Sequence, residues 1–592
     1  MAQTNSKLNF PDQWNLQLLY ESPDDPQLQQ DLKDYNIKRK AFAEKYKNQT
    51  EYLEDENQLL LVLTEYEQLL EELNGARPLM YFHYLTEIES HNQQAQAQLN
   101  KITTELTKAQ NHLTFFPIKL GKIDQALQDK FLQSTKLERY HYLLKRRFEL
   151  AKFDLKEDQE KIINLTDQTS HQMWVKGVEK SLNGKTVSFR GKKLPLSEVS
   201  QKIAELPTDQ RQQLHKKVLT KASEIIDFAE TELNAIVTYK QMEDELRGYK
   251  TPDEATIVGS ENSLETVHNL VDLVTKNFDL AHRFYQLKAK LLKLDKLTYA
   301  DRAAKIDGFD QQYDFQQSYD LIHEAFTALD PEFAQILERM SLNGQLDIYP
   351  RQGKVSGAFC SSSTNNPTYV LLNHINNFNS VTTFAHEMGH AIHSELSKKQ
   401  PVIYQHYSTS TAETASTFFE QFAFEKLIEN FSKSEKIIAL HNRLQDDINT
   451  IFRQIALFNF ENELHQQIKE VGYLAKDQIG DLLNRHTQAY LGPLFELTPL
   501  DGNFFILWGH IRYFFYTYTY AYGHLISKAM VKGVKQDPKF ISQIKQFLSA
   551  GGNNTPAKIF KQIGIDITQP DFFKQGLDEI EQEINQLEKL LS

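Results

Sequence analysis

The sequence lacks several things that would direct it elsewhere. It has one cysteine, Cys360, in 592 residues. That excludes an internal disulfide and any cysteine-cluster metal site, and it suits a reducing compartment. Positive charge is in deficit: 66 Lys and Arg against 79 Asp and Glu leave a net charge of −13. No overall basic field is present to hold nucleic acid or an anionic membrane, and neither is an expected partner. The opening residues, MAQTNSKLNFPDQW, carry neither a basic n-region nor an apolar h-region, so a cytoplasmic location is expected. Long uncharged apolar runs are also missing. The nearest, residues 504–526, is long enough to span a bilayer but contains Arg512, His510, His524 and five tyrosines, and it reads as a buried helix.

What remains is an ordinary globular composition, 40% hydrophobic and 24% charged. The length exceeds a single core and allows about three to four domain-sized units, or fewer large helical ones. From Leu28 to about Phe116 the chain is nearly free of Gly and Pro and has helical spacing of apolar residues, as in ENQLLLVLTEYEQLLEEL (56–73). TVSFRGKKLPL (186–196) alternates as a short hairpin does and marks the end of an N-terminal helical domain, 1–200. Residues 201–592 form the second, also mainly helical, domain. Within it, residues 303–380 turn to Gly, Pro, Asn and Ser clusters, with two short strands expected at 344–350 and 367–373. The second, PTYVLLN, is either a structural strand or an edge along which an extended peptide pairs. Gly357-Ala358 allows close backbone approach or is simply a loop.

The chemistry concentrates in VTTFAHEMGHAIH (381–393). On a helix His386 and His390, four apart, leave one face and can grip one metal ion. Glu387 lies about 100° round the helix, off the metal but within reach of a water bound there. This is the arrangement of a zinc hydrolase. With 19 histidines in the chain, a chance match is worth roughly a few per cent, so the motif needs support from elsewhere.

A catalytic zinc takes three protein ligands and keeps a fourth position open. Downstream, TSTAETASTFFEQFAFEKL (409–427) reads as a helix whose apolar stripe carries two acids seven apart, Glu413 and Glu420. Acids there are costly to bury unless paired or bound to metal. Glu413 is the expected third ligand, and Glu420 a carboxylate that orients a histidine. His393 shares the metal face, yet three ligands suffice, so a hydrogen-bonding or packing role is expected for it.

Taken together, these stretches resemble the thimet-oligopeptidase-like zinc metallopeptidases, and within them the oligoendopeptidase F group. The resemblance runs from WNLQLLYES (14–22) through ELRGYKTP, GKVSGAF, PTYVLLN, HEMGHAIH and TAETASTFFE to FLSAGGNNTPAKIFKQIGID (547–566). It implies a mainly α fold of two large helical halves enclosing a deep substrate channel, with a small β-sheet beside the zinc helix. It implies one Zn²⁺ per chain on His386, His390 and Glu413, and Glu387 as catalytic base. It also implies short oligopeptides as substrates, cut internally.

The family's late substrate-facing histidine falls on His510, within WGHIRYFFYTYTYAYGHL (508–525). Of the alternating tyrosines, Tyr516 and Tyr520 share one helix face and Tyr518 and Tyr522 another. The first pair is the expected one. The chain departs from the family pattern here, with Gly509 before His510 and Ile511 and Arg512 after it. A helical zinc exopeptidase of the carboxypeptidase kind and a non-catalytic peptide-binding protein are the competing readings. The oligomeric state is left open, a monomer included.

Overall fold

The computed structural model describes residues 10–72, 76–306 and 311–592. The fold is mainly helical, with three small sheets among the described residues. The nine opening residues lie outside what is described.

The division differs from the expected boundary at 200. One compact unit combines Met1–Glu157, Asp310–Leu427 and Val531–Gly564, and the other Asp158–Phe309, Ile428–Met530 and Ile565–Ser592. The chain therefore passes back and forth between them, and a single cut point in the sequence cannot describe the arrangement.

In the first unit the long N-terminal helices start where the sequence caps them. Asp25 accepts the Gln27 amide at the head of Pro26–Tyr46, with proline in its first turn. This helix and Glu56–Glu72 bury Tyr35, Phe42, Leu59 and Leu63 in one core. A second core gathers Trp14, Tyr84, Tyr369 and Leu371 around a three-stranded sheet.

Of the two readings of PTYVLLN, that sheet bears out the structural strand. Tyr369–Leu371, the strand within PTYVLLN, is central: it is parallel to Leu346–Asp347 and antiparallel to Phe359–Ser361. Its residues are all buried, which explains the continuous apolar run. The outer side of Leu346–Asp347 is covered in turn by the N-terminal segment, through Asn15 N–H to the Gly344 carbonyl (2.7 Å) and Ile348 N–H to the Asp12 carbonyl (3.0 Å). The remaining edge belongs to Phe359–Ser361. Val370 and Leu372 donate the other way, to the Gln345 and Asp347 carbonyls. Pairing with the edge strand thus runs through Tyr369 and Leu371 and leaves the Cys360 N–H and C=O facing outward. Gly357 and Ala358 form the loop into this strand, tied by Asn373 to the Gly357 carbonyl at 2.7 Å.

In the second unit, Ile226–Arg247, Arg453–Val471 and Lys476–Leu491 pack around Leu233, Val237, Phe460, Leu464 and Leu482. The hairpin is present as Thr186–Phe189 with Lys192–Pro195, its two-residue turn being Arg190-Gly191, both left-handed.

Residues 504–526 are not one buried helix. The chain makes 3₁₀ turns at Asn503–Ile506 and Gly509–Arg512, passes Phe514 and Phe515 with φ of 49° and 59°, and enters an α-helix only at Tyr518–Gln536. Among the described residues no helix is long and apolar enough to cross a membrane.

Asp347, with 0% exposure, anchors the sheet to its surroundings. It accepts from the Trp14 amide at 3.2 Å, from Arg351 at 2.5 and 2.8 Å, and from Lys354 at 2.7 Å. Burial alone would raise its pKa, but the hydrogen bonds and charges of Arg351 and Lys354 outweigh this and hold it below the usual value. Its folded pKa is thus below that of the unfolded chain, about 3.9. The stability it contributes is present above that pH and is lost as pH falls through the lower folded value. Asp347→Asn should destabilise the protein by on the order of 3 kcal/mol near pH 7, because the buried Lys354 side chain and the half-buried Arg351 lose their counter-charge. The measurement is the apparent Tm of variant and parent against pH; the gap should close in acid, and an unchanged Tm at pH 7 contradicts the account.

Candidate metal centre and active site

Two helices of the first unit build the site. Phe378–Ser397 begins at Asn377, whose side chain accepts the Ser380 amide, and carries the two histidines. Thr409–Ile428 carries the two acids. They cross where Gly389 meets Ser416: a Cβ on Gly389 would stand 2.7 Å from the Ser416 Cα and 3.1 Å from the Ala415 carbonyl oxygen. The residue inside HEMGH is therefore glycine for a packing reason, and the close crossing brings Glu413 up to the histidines.

A pair of glycines serves the loop between these helices. Cβ atoms on Gly551 and Gly552 would lie 2.2 Å from the Tyr404 and His406 carbonyl oxygens, respectively, and the Gly552 amide donates to the Tyr404 carbonyl at 2.8 Å.

The structure brings His386, His390 and Glu413 together, with one donor atom from each within 4.8 Å of the others. Glu413 Oε2 is 3.5 Å from His386 Nε2 and 3.9 Å from His390 Nε2, and it accepts from the Ser416 hydroxyl at 3.2 Å. His386 donates through Nδ1 to Glu420 Oε2 at 2.9 Å, which leaves the Nε2 lone pair aimed at the cluster. The donor set fits a divalent cation: two imidazoles and a carboxylate, the set used by catalytic zinc.

Charge balance points the same way. Among the described residues the only ion-pair partners of Glu413 are the two histidines. Burial works against protonation of His386, but the Glu420 hydrogen bond and the charges of Glu420, Glu413 and Glu387 together raise its pKa to about 9. His390 is pushed the other way, to about 3, by burial and then by His386. The acids around His386 draw it upward, whereas burial and the His386 charge draw His390 downward.

Glu387 is buried on the neighbouring face of the helix. Desolvation is the largest influence on it; with repulsion from Glu413 and Glu420, and against the His386 charge and the Cys360 amide, it brings the carboxyl to about 7. The Cys360 amide that reaches it is the outward N–H of the edge strand, so that edge runs directly past Glu387. A cavity of about 530 Å³ opens beside His390, lined by Cys360, Ser361, Ser394, Lys398, Tyr407 and Ala412 among others. His393 is placed away from the ligand cluster. It stacks on Tyr407, with centroids 3.6 Å apart and planes 11° from parallel, and its pKa is pushed down to about 3 by burial and then by His390.

In the second unit, His510 lies in its 3₁₀ turn with Nδ1 hydrogen-bonded to the Tyr516 hydroxyl. The ring centroids of His510 and Tyr516 are 5.5 Å apart, and that of Tyr520 is 5.9 and 5.8 Å from them. Tyr518 and Tyr522 are fully buried core residues. The reason differs from the helical one expected: Tyr516 precedes the helix, and its approach to Tyr520 comes from the turn. Arg512, where the chain departs from the family pattern, is buried and makes a two-pronged ion pair with Glu232 at 2.9 and 3.0 Å. The periodicity of the sequence held no signal for the edge strand Phe359–Ser361, for the His390 cavity, or for Glu232. GAFCSS lacks alternation, and Glu232 is one acid among many on a long helix.

Peptidase family M3 matches residues 207–579. The chain is 28% identical over 353 residues to oligopeptidase PepF of Bacillus subtilis, covering 58% of this chain and 52% of that protein. It spans about half the length of the curated relatives it matches. In fold it is similar to a Chlamydophila abortus protein (22% identical, TM-score 0.83, 99% of both chains). It is also similar in fold to oligoendopeptidase-F from Enterococcus faecium (19% identical, TM-score 0.70, 95% of this chain and 97% of that one).

Gly389→Ala should force the two helices apart and spread the ligand cluster. A loss of about tenfold or more in zinc affinity is expected, comparable to that from breaking a ligand's supporting contacts. Competition titration with a chromogenic chelator measures it; parental affinity in the folded variant contradicts the crossing as the determinant of ligand geometry.

Proposed function

The chain belongs to peptidase family M3, and from that premise we propose that it is a zinc-dependent endopeptidase acting on internal bonds of short, unstructured oligopeptides. The observation that carries the reading is the three-ligand cluster with a buried glutamate beside it. His386 and His390 through Nε2 and Glu413 through its carboxylate would hold one Zn²⁺ per chain. Bound there, such an ion lowers the pKa of a coordinated water to about 7 and polarises a carbonyl.

The chain's own residues supply the rest. Glu387 accepts the proton of the attacking water and returns it to the leaving amine nitrogen; its burial gives it the proton affinity this transfer needs. Glu420 holds His386 in the tautomer that presents Nε2. The outward C=O of Cys360, whose N–H already reaches Glu387, offers a backbone acceptor to an extended peptide along the edge strand, so the peptide would pass Glu387. The cavity beside His390 receives a substrate side chain. To His510, Tyr516 and Tyr520 we assign, on the family resemblance, the role of donors to the tetrahedral oxyanion, a contribution of roughly 2.7–4 kcal/mol per donor in other enzymes. The single thiol and the absence of a membrane-length apolar helix among the described residues are in keeping with work in the cytoplasm.

Glu387→Gln should keep one zinc per chain while kcat on an internally quenched oligopeptide falls by roughly 10²–10⁴-fold. Undiminished cleavage by that variant overturns the assignment. Mass spectrometry of parental products should show internal cuts; single-residue trimming would make the protein an exopeptidase. Efficient digestion of a native folded protein counts against the substrate class.

A further inference from the structure

The turn that carries Tyr516 has a backbone its sequence does not favour. Phe514 and Phe515 are consecutive left-handed residues with bulky side chains, a conformation that persists only where the surroundings impose it. At Phe514 the Thr256 hydroxyl donates to the carbonyl at 3.1 Å and His171 packs on the ring, and at Phe515 the surroundings are one face of the helix Arg453–Val471. Its residues 454, 458, 461 and 465 lie on a single stripe. Glu461 Oε1 accepts the Phe515 amide at 3.0 Å, and the Gln454 carbonyl accepts the Thr517 hydroxyl at 3.3 Å. The rings of Phe458 and His465 meet that of Phe515 with centroids 5.7 and 4.7 Å away.

Each of these contacts from the helix falls on Phe515 or Thr517, the two neighbours of Tyr516. Both neighbours are fully buried, whereas Tyr516 keeps exposure and turns its hydroxyl to His510. Glu461 is itself fully buried, and among the described residues it has no ion-pair partner. Burial pushes its pKa up to about 8, so near neutral pH it stands as an uncharged acid whose oxygen accepts one backbone hydrogen bond. Packing alone would be served better by leucine, since an isolated buried acid is costly.

We propose that Glu461 is a positioning residue: by holding the Phe515 amide it fixes the strained turn that presents the Tyr516 hydroxyl beside His510. This rests on the reading of Tyr516 as an oxyanion donor.

The test compares the zinc-loaded full-length protein with Glu461→Gln, Glu461→Leu, Tyr516→Phe and the Leu/Phe double variant on one quenched oligopeptide. Glu461→Gln, uncharged and with an oxygen in the same place, should keep kcat within about threefold, and Glu461→Leu should lose tenfold or more in kcat with KM and zinc content little changed. In the Tyr516→Phe background the Leu substitution should cost less than about threefold further, because the group it positions is gone. A lower Tm with unaltered kcat in Glu461→Leu, or an equal loss of kcat in both backgrounds, overturns the proposal. Parental kcat in Tyr516→Phe would instead show that the underlying reading of Tyr516 fails. Should Glu461→Leu not fold, Glu461→Asp, one methylene short of the amide, carries the same expectation.

Discussion

Three side chains on two helices can reach one point only if the helix backbones approach closely, and here that approach is Gly389 against Ser416. Everything else at the centre follows from it. Glu413 comes within 3.5 Å of His386 Nε2 because the crossing places its turn beside the HEMGH turn. Ser416, on the other side of the contact, steadies the same carboxylate oxygen. Seven residues further along, Glu420 is carried to the back of His386. A larger residue at position 389 would have to move backbone, which cannot give by a rotamer change.

The same compactness makes the centre electrostatically demanding. Glu387, Glu413 and Glu420 surround two imidazoles, and of the three acids Glu387 is buried. The surrounding acids draw His386 upward, and desolvation chiefly draws Glu387 upward. A divalent ion held by the three ligands would satisfy these donors directly. The sheet serves this centre by placing the outward peptide group of Cys360 against Glu387. Its rigidity comes from Asp347, whose buried carboxylate ties Trp14, Arg351 and Lys354 to the strand on the far side.

The mainly helical fold was legible because its helices are long, periodic and capped. So were the five residues of HEMGH, whose spacing along one helix defines their geometry. Glu413 and Glu420 could be picked out because acids on an apolar stripe need a reason to be there. Other features depended on contacts between distant segments. PTYVLLN reads as a strand but not as a central one, because Phe359–Ser361, which covers one of its two edges, carries no alternation. The apolar run 504–526 looks like one helix, since nothing local announces that Glu461 and Gln454 bend it at Phe514 and Phe515. The two-unit division was invisible for the same reason: each unit is assembled from three separate stretches of chain.

The claim at the centre is that two histidines and one glutamate, joined across a glycine-tight helix crossing, form a zinc site beside a buried glutamate. The most direct test is a crystal structure of the zinc-loaded protein with anomalous data collected at the zinc absorption edge. The account predicts a single strong peak bonded to His386 Nε2, His390 Nε2 and a Glu413 carboxylate oxygen, each at about 2.0–2.2 Å, with Glu387 uncoordinated. A peak away from Glu413, or one that takes Glu387 as a ligand, would contradict it.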